Sequence, residues 1–258
     1  MTENMKCNEG QYVSLLMPGT ERRKIFGLLE KPDFPAATTQ ASYKLYVCGR
    51  PGSGKTWARS RLAGREVCSE VSGEEAVSGI EANVIYWPMK ISGKSILFRL
   101  ELWEAGEWSV RRYDHILPAC RDGVNGVLLC FSINDSQGWQ ELPRLLATSV
   151  QPGEKATVIP LATRTSESNG DWEASQADIK ALEERCNVTV LRMPPPTACN
   201  HASSRPQHSA DTLARGGDAR SMLSQDGITD EIRAIEPILS AICLKLWQKE
   251  QELLMSIK

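Results

Sequence analysis

The run Gly49-Arg50-Pro51-Gly52-Ser53-Gly54-Lys55-Thr56 constrains this chain more than any other stretch. It matches G-x-x-x-x-G-K-[ST], the P-loop pattern for holding phosphate. The glycines let the backbone turn tightly and bring its N–H groups close to phosphate oxygens. Lys55 is long enough to reach the β- and γ-phosphates, and the Thr56 hydroxyl is a magnesium ligand in this pattern. A helix opening near Lys55 aims its positive end at the same anion. Chance alone produces such a match in about one per cent of chains of this length. The flanks argue against chance. Leu45-Tyr46-Val47-Cys48 is a short apolar run, as a buried strand requires, and Trp57 to Ala63 reads as a helix closed by Gly64. Strand, loop and helix in this order are the setting the pattern needs. The expected phosphate-binding set is Gly49, Gly52, Ser53, Gly54, Lys55, Thr56 and Trp57.

The rest of the chain alternates in kind. Strand-like runs are Tyr43–Cys48, Asn83–Trp87, Ile96–Trp103, Gly126–Ser132, Ala156–Ala162 and Val188–Leu191. Helical stretches lie between most of them, over Lys55–Ala63, Trp108–Cys120, Trp139–Ser149 and Asp171–Cys186. The second and third strands are joined only by Ile91-Ser92-Gly93-Lys94, which reads as a hairpin turn. The pattern predicts an α/β fold of the P-loop NTPase kind. Its core is a six-stranded, mostly parallel sheet with one antiparallel pair and helices on both faces.

Around this domain, expected over residues 41–195 plus 228–258, lie two other segments. Residues 1–40 read as an N-terminal extension. Its Glu21-Arg22-Arg23-Lys24 is either a solvated basic patch or a docking segment. Pro194-Pro195-Pro196 ends the alternation, and residues 196–227 lack apolar periodicity and read as a disordered insert. His201 and His208 there have no cysteine or carboxylate at ligand spacing. A last helix after Gly227 carries Ile232, Ile235, Leu239, Ile242, Leu246 and Leu253 on one face. Pro237 should kink it or mark its first turn.

Composition excludes several classes. With a formal net charge of −2, bulk electrostatic binding to nucleic acid is not expected. No apolar run is long enough to span a bilayer, no secretory signal opens the sequence, and neither end carries a lipidation motif, so no direct lipid anchor is expected. The eight cysteines form no Cys-x-x-Cys pair, and several lie in apolar runs, which fits reduced core thiols in the cytoplasm.

Order and spacing resemble the small GTPases of the Ras superfamily, Rab and Rem relatives in particular. The P-loop is followed by a loop, a hairpin and the strand-end stretch Leu102-Trp103-Glu104-Ala105-Gly106-Glu107, which is similar to Trp-Asp-Thr-Ala-Gly-Gln in that family. Arg22–Glu30, Ser78-Gly79-Ile80, Tyr86-Trp87-Pro88, Tyr113-Asp114-His115 and Leu117-Pro118-Ala119-Cys120 resemble, more closely, the Rem- and Rab-like small GTPase of the ciliogenesis and planar polarity effector complex. The resemblance implies GTP or GDP with Mg²⁺ as cofactors, the metal held by Thr56 and Ser78. It implies action in cilium assembly with the Fuzzy and Inturned proteins at the basal body, in recruiting intraflagellar transport material, and in vesicle traffic and exocytosis.

The resemblance also assigns residues one by one. Ser78 stands where a switch Thr binds the metal, or is an ordinary polar loop residue. Glu104 and Gly106 stand for the second-switch Asp and Gly, one residue too close together. Glu107 stands at the usual position of the Gln that orients attacking water, and a carboxylate there repels a γ-phosphate, so hydrolysis should be slow or absent. Thr163, Arg164 and Ser166 fall on the base-recognition motif. Ser166 offers one neutral acceptor where a bidentate anion is expected, and charge-assisted bonds are about twice as strong as neutral ones. Two alternatives stand beside this reading, the first of them motivated by these departures. One is a pseudo-GTPase scaffold that needs no nucleotide. The other is a P-loop kinase, for which Arg111-Arg112 is the sole lid-like pair in the region. Trp87, Trp103 and Trp108 bracket the switches, as core residues or as partner anchors.

Overall fold

Gly126–Ser132 is buried at every position, so its apolar run reads as a central parallel strand covered on both faces. The computed structural model describes residues 31, 39–64, 79–151, 153–164, 173–195 and 225–256. Within these the elements run β1 (Thr39–Gly49), α1 (Lys55–Leu62), β2 (Ile80–Ile91), β3 (Lys94–Ala105), α2 (Glu107–Arg112), α3 (Ile116–Arg121), β4 (Gly126–Ser132), α4 (Ser136–Thr148), β5 (Thr157–Thr163), α5 (Gln176–Cys186), β6 (Leu191–Arg192) and α6 (Gln225–Ser256). They build one six-stranded sheet in the order β2-β3-β1-β4-β5-β6. All neighbours are parallel except β2 and β3. That hairpin turns at Ser92 and Gly93, both at positive φ, as a two-residue turn matched to strand twist requires. β2 is an edge strand, where Pro88 removes no needed ladder bond.

Helices cover both faces. On one, Leu45, Val47, Phe98, Leu100 and Leu128 pack against Ala58 and Leu62 of α1 and against Ile235, Leu239, Ile242 and Leu246 of α6. On the other, Leu129, Phe131 and Ala162 meet Leu142 and Leu146 of α4 and Ile179 and Leu182 of α5, while Tyr46 and Val127 meet Ile116 and Cys120 of α3. Cys48, Cys120, Cys130, Cys186 and Cys243 are free thiols. No helix among the described residues is long and apolar enough to cross a membrane.

Several boundaries differ from the sequence expectation for identifiable reasons. The helix over Trp108–Cys120 breaks at Tyr113, whose backbone is extended. Pro118 in a continuous helix would clash with the turn before it; the break puts it in the first turn of α3 instead. Helix α5 starts at Gln176 because Ser175 and Asp178 form a reciprocal capping box. Strand β6 starts later than expected, because the Val188 and Val190 N–H groups bond to the Glu183 carbonyl and carboxylate. Helix α6 takes in residues 225–227, and Pro237 lies inside it rather than at its first turn. The extension up to Glu30, most of the insert, Ser78 and Ser166 lie outside the described residues.

Candidate functional site

Strand β1 delivers Gly49 to the carboxyl edge of the sheet, where the strand order turns from β3 to β4 on either side of β1. Ligand crevices of open α/β sheets form at such points. Only glycine fits at 49. A Cβ there would lie 2.2 Å from the Cys130 carbonyl oxygen and 2.6 Å from Ser53 Oγ. The loop then folds back, with the Ser53 N–H donating to the Arg50 carbonyl at 3.2 Å. Gly54 closes it in the left-handed conformation and becomes the N-cap of α1 with no side chain to offer. The first-turn N–H groups of a helix have no intrahelical acceptor, and here no cap side chain replaces one. Ser53 is nearly inaccessible, yet its Oγ has no hydrogen-bond partner. A buried polar atom without a partner is costly, so the loop is complete as a fold but incomplete as a hydrogen-bonding site.

Two other strands bring their ends to this loop. From β5, Thr163 Oγ1 lies 2.7 Å from the Ser53 carbonyl and 3.0 Å from the Phe131 carbonyl, sharing its one proton between them. From the end of β3 come Glu104, Gly106 and Glu107. Lys55 Nζ donates to the Gly49 carbonyl at 3.2 Å, the Arg50 carbonyl at 2.8 Å and Glu107 Oε1 at 3.0 Å. An ammonium has three donors, so all three are in use. Thr56 Oγ1 donates to Glu104 Oε1 at 2.7 Å. The Gly106 N–H donates to the Gly79 carbonyl at 2.9 Å, and the Gly79 N–H to Ser109 Oγ at 2.8 Å, which ties the start of β2 to α2.

The residues named from sequence thus divide. Gly49, Gly52, Ser53, Gly54, Lys55, Thr56, Gly106, Glu107 and Thr163 converge on one edge. Trp57 is on the first turn of α1, packed against the core with Arg61 over its ring at 4.9 Å. Arg164 is exposed and paired with Glu173 rather than folded over the loop. Trp87 is core, its Nε1 donating to Ser240 Oγ at 3.2 Å. Trp103 is partly buried under the Lys44 ammonium. Trp108 departs from the core reading: it is 59% exposed, edge-on to Tyr113, with Arg112 above its ring.

Arg59 is the residue that sequence reasoning missed. It lies one turn past Lys55, buried, with Nε 2.7 Å from Glu104 Oε2 in an ion pair. One terminal nitrogen donates to Asn83 Oδ1 at 2.6 Å and the other to Glu81. Nothing in the motif requires an arginine there; only the register that sets β2 and β3 beside α1 gives it these partners. Burial also pushes the Cys48 thiol up to about 12 and raises Cys130, so neither sulfur is a thiolate nucleophile at neutral pH.

No protein-family model matches the chain. Ciliogenesis and planar polarity effector 2 of Mus musculus is 36% identical over 245 residues, which is 93% of this chain and 86% of the mouse protein. Its namesake from Xenopus tropicalis is 33% identical over 179 residues, 67% of this chain and 68% of the frog protein. A more distant relative, the Ras-related protein Rab11C of Lotus japonicus, is 27% identical over 150 residues, covering 58% and 65% of the two chains. Identity at this level, sustained along nearly the whole length in the mouse case, places the chain: it belongs to the ciliogenesis and planar polarity effector 2 family.

Proposed function

We propose that this protein is a small-GTPase-like switch or adaptor of cilium assembly, with a guanine nucleotide held on the loop from Gly49 to Thr56. One observation carries the reading. Ser53 Oγ is buried without a partner, inside a glycine cradle that a Cβ at 49 would fill, beside the uncapped first turn of α1. Phosphate oxygens are the acceptors that such a set of donors fits. Lys55 would hold the outer phosphates, and the order of the segments around Gly79 and Gly106 would depend on what fills the loop. The similarity to Rab11C supports the same reading.

Glu107 already neutralises Lys55, in the place where a γ-phosphate would compete for it. Hydrolysis is therefore slow or absent in this reading, since a carboxylate orients attacking water poorly beside a polyanion. The names of the relatives support a place in ciliogenesis and planar polarity. The Fuzzy and Inturned proteins at the basal body, intraflagellar transport recruitment and vesicle traffic are the partners and processes this reading assigns.

The test is a titration of the full chain with labelled GTP, GDP and ATP, alongside Lys55→Ala. Saturable guanine-nucleotide binding at about micromolar concentration or tighter, lost in the variant, supports the reading. A second reading, a scaffold that needs no nucleotide, is favoured by the saturated donors of Lys55 and the engaged Gly106 N–H. Partner capture that is equal for wild type and Lys55→Ala, with no nucleotide bound, would select it.

A further inference from the structure

Among the described residues four large hydrophobic side chains are exposed: Trp108, Tyr113, Leu254 and Met255. The first two stand together. Their rings meet edge-on with centroids 6.0 Å apart, and the His115 ring lies 5.9 Å from that of Tyr113. Arg112 lays its guanidinium over both, 5.3 Å from the Trp108 ring and 6.0 Å from the Tyr113 ring. Residues 111–115 are all exposed, so the end of α2 and the turn before α3 face solvent. Neighbouring basic side chains are matched: Lys55 by Glu107, Arg59 by Glu104 and Glu81, Arg50 by Glu141. Among the described residues neither Arg111 nor Arg112 has a carboxylate within ion-pair distance, Asp114 of the same turn included. The patch is also held from behind. Ser109 is buried beneath it, its Oγ accepting from the Gly79 N–H at 2.8 Å and its carbonyl from the Tyr113 N–H at 2.9 Å. Backbone already fixed in this way loses less freedom on association.

We propose that this face of α2 and its turn docks an acidic segment of another protein, with carboxylates on Arg111 and Arg112 and an apolar side chain against Trp108 and Tyr113. Trp, Tyr and Arg are the residue types that dominate interface hot spots. A guanidinium lying over an aromatic ring keeps its edge N–H groups for a carboxylate, which it binds with two parallel bonds. Charge names the occupant. The chain as a whole carries a formal net charge of −2, yet here two cations have no counter-charge, so their complement is anionic. A bilayer is the poorer complement: interfacial binding needs a helix with a broad apolar face, and α2 has six residues. The inference does not rest on the nucleotide reading, since none of the loop's hydrogen bonds or ion pairs involves these side chains.

The experiment selects random displayed peptides on the full chain and measures the affinity of those recovered. The expected peptides combine Asp or Glu with Phe, Trp or Leu and bind at about 100 micromolar or tighter. Trp108→Ala is expected to weaken them at least about tenfold, and Arg111→Glu combined with Arg112→Glu to abolish binding. All three positions are exposed, so the melts of these variants should match the wild type. If Trp108→Ala nevertheless unfolds, Arg111→Gln combined with Arg112→Gln decides alone, with an expected loss of at least about threefold. No recovered binder, binders without acidic residues, or equal affinity for the variants overturns the proposal. Capture of the wild type by phosphatidylserine vesicles, lost in Trp108→Ala, would give the face to a membrane. A dimer that Trp108→Ala dissolves would give it to a second copy. Either outcome also overturns the proposal.

Discussion

The two edges of the sheet use the same ingredients and finish them differently. Where β4 and β5 begin, Lys44 Nζ donates to the Ala119 and Asp122 carbonyls at 3.0 and 2.7 Å, and Asn125 Oδ1 accepts from the Lys44 N–H. Close by, Arg121 holds the Ser149 carbonyl and both oxygens of Glu154. Every polar group named there has a partner within the fold. At the carboxyl edge Lys55 also spans two carbonyls and a carboxylate, yet Ser53 Oγ is buried with nothing to bond and α1 opens without a capping side chain. Basic residues clamping carbonyls are thus a structural device at one edge and the wall of an unfinished site at the other. The difference lies not in charge but in what is left unsatisfied, which is the better marker of function.

The largest expected effect breaks the carboxyl edge. Gly49→Ala drives a methyl group into the Cys130 carbonyl and Ser53 Oγ, and the first of these is backbone that cannot rotate away. A loss of about 3 kcal/mol in denaturant melts is expected, because overpacking and backbone displacement act together. Phosphate binding should vanish with it. A stable Gly49→Ala protein with intact binding would show that the cradle is looser than drawn.

A smaller effect separates the opposite edge. The Arg121 side chain, hydrogen-bonded to Glu154, holds that carboxyl below its ordinary range. A carboxyl with a lowered folded value gives its stability above the unfolded value and loses it as pH falls through the folded one. The contribution should therefore be complete above about pH 4.3 and be lost progressively below it. Glu154→Gln should cost about 1 kcal/mol at neutral pH and flatten this part of the acid profile. Nucleotide affinity should not change, since the pair lies at the far edge.

Sequence made legible whatever depends on local backbone chemistry. The turn at Ser92-Gly93, the loop glycines and the alternation of strands with helices follow from φ preferences and period, and each was readable without coordinates. The one antiparallel pair in an otherwise parallel sheet follows from the one short connection. Tertiary register was not readable. Arg59 has no motif; it matters because β2 and β3 place Glu81, Asn83 and Glu104 around it. Trp108 reads as core because tryptophan usually is, but on α2 its ring is exposed and meets only Tyr113 and Arg112 among the ring contacts of the described residues. Glu107 was seen as a replaced glutamine, whereas its pairing with Lys55 required the ends of β1 and β3 to be set side by side.

That pairing gives the finest test of the contrast between edges. Glu107 is 39% exposed on its side chain, so removing its charge should alter stability by under about 0.5 kcal/mol. If Lys55 served the fold as Lys44 does, nothing else would change. If the carboxyl edge is a site, Glu107→Gln frees one ammonium donor and removes an anion from the place a γ-phosphate would take. Triphosphate affinity should then rise by about tenfold and diphosphate affinity much less, because only the terminal phosphate competes with the carboxylate. Equal gains for both nucleotides would mean that Glu107 acts on the whole loop by long-range repulsion. No gain for either would put Lys55 in the same structural class as Lys44, and the contrast between the edges would rest on the orphaned serine and the uncapped start of α1.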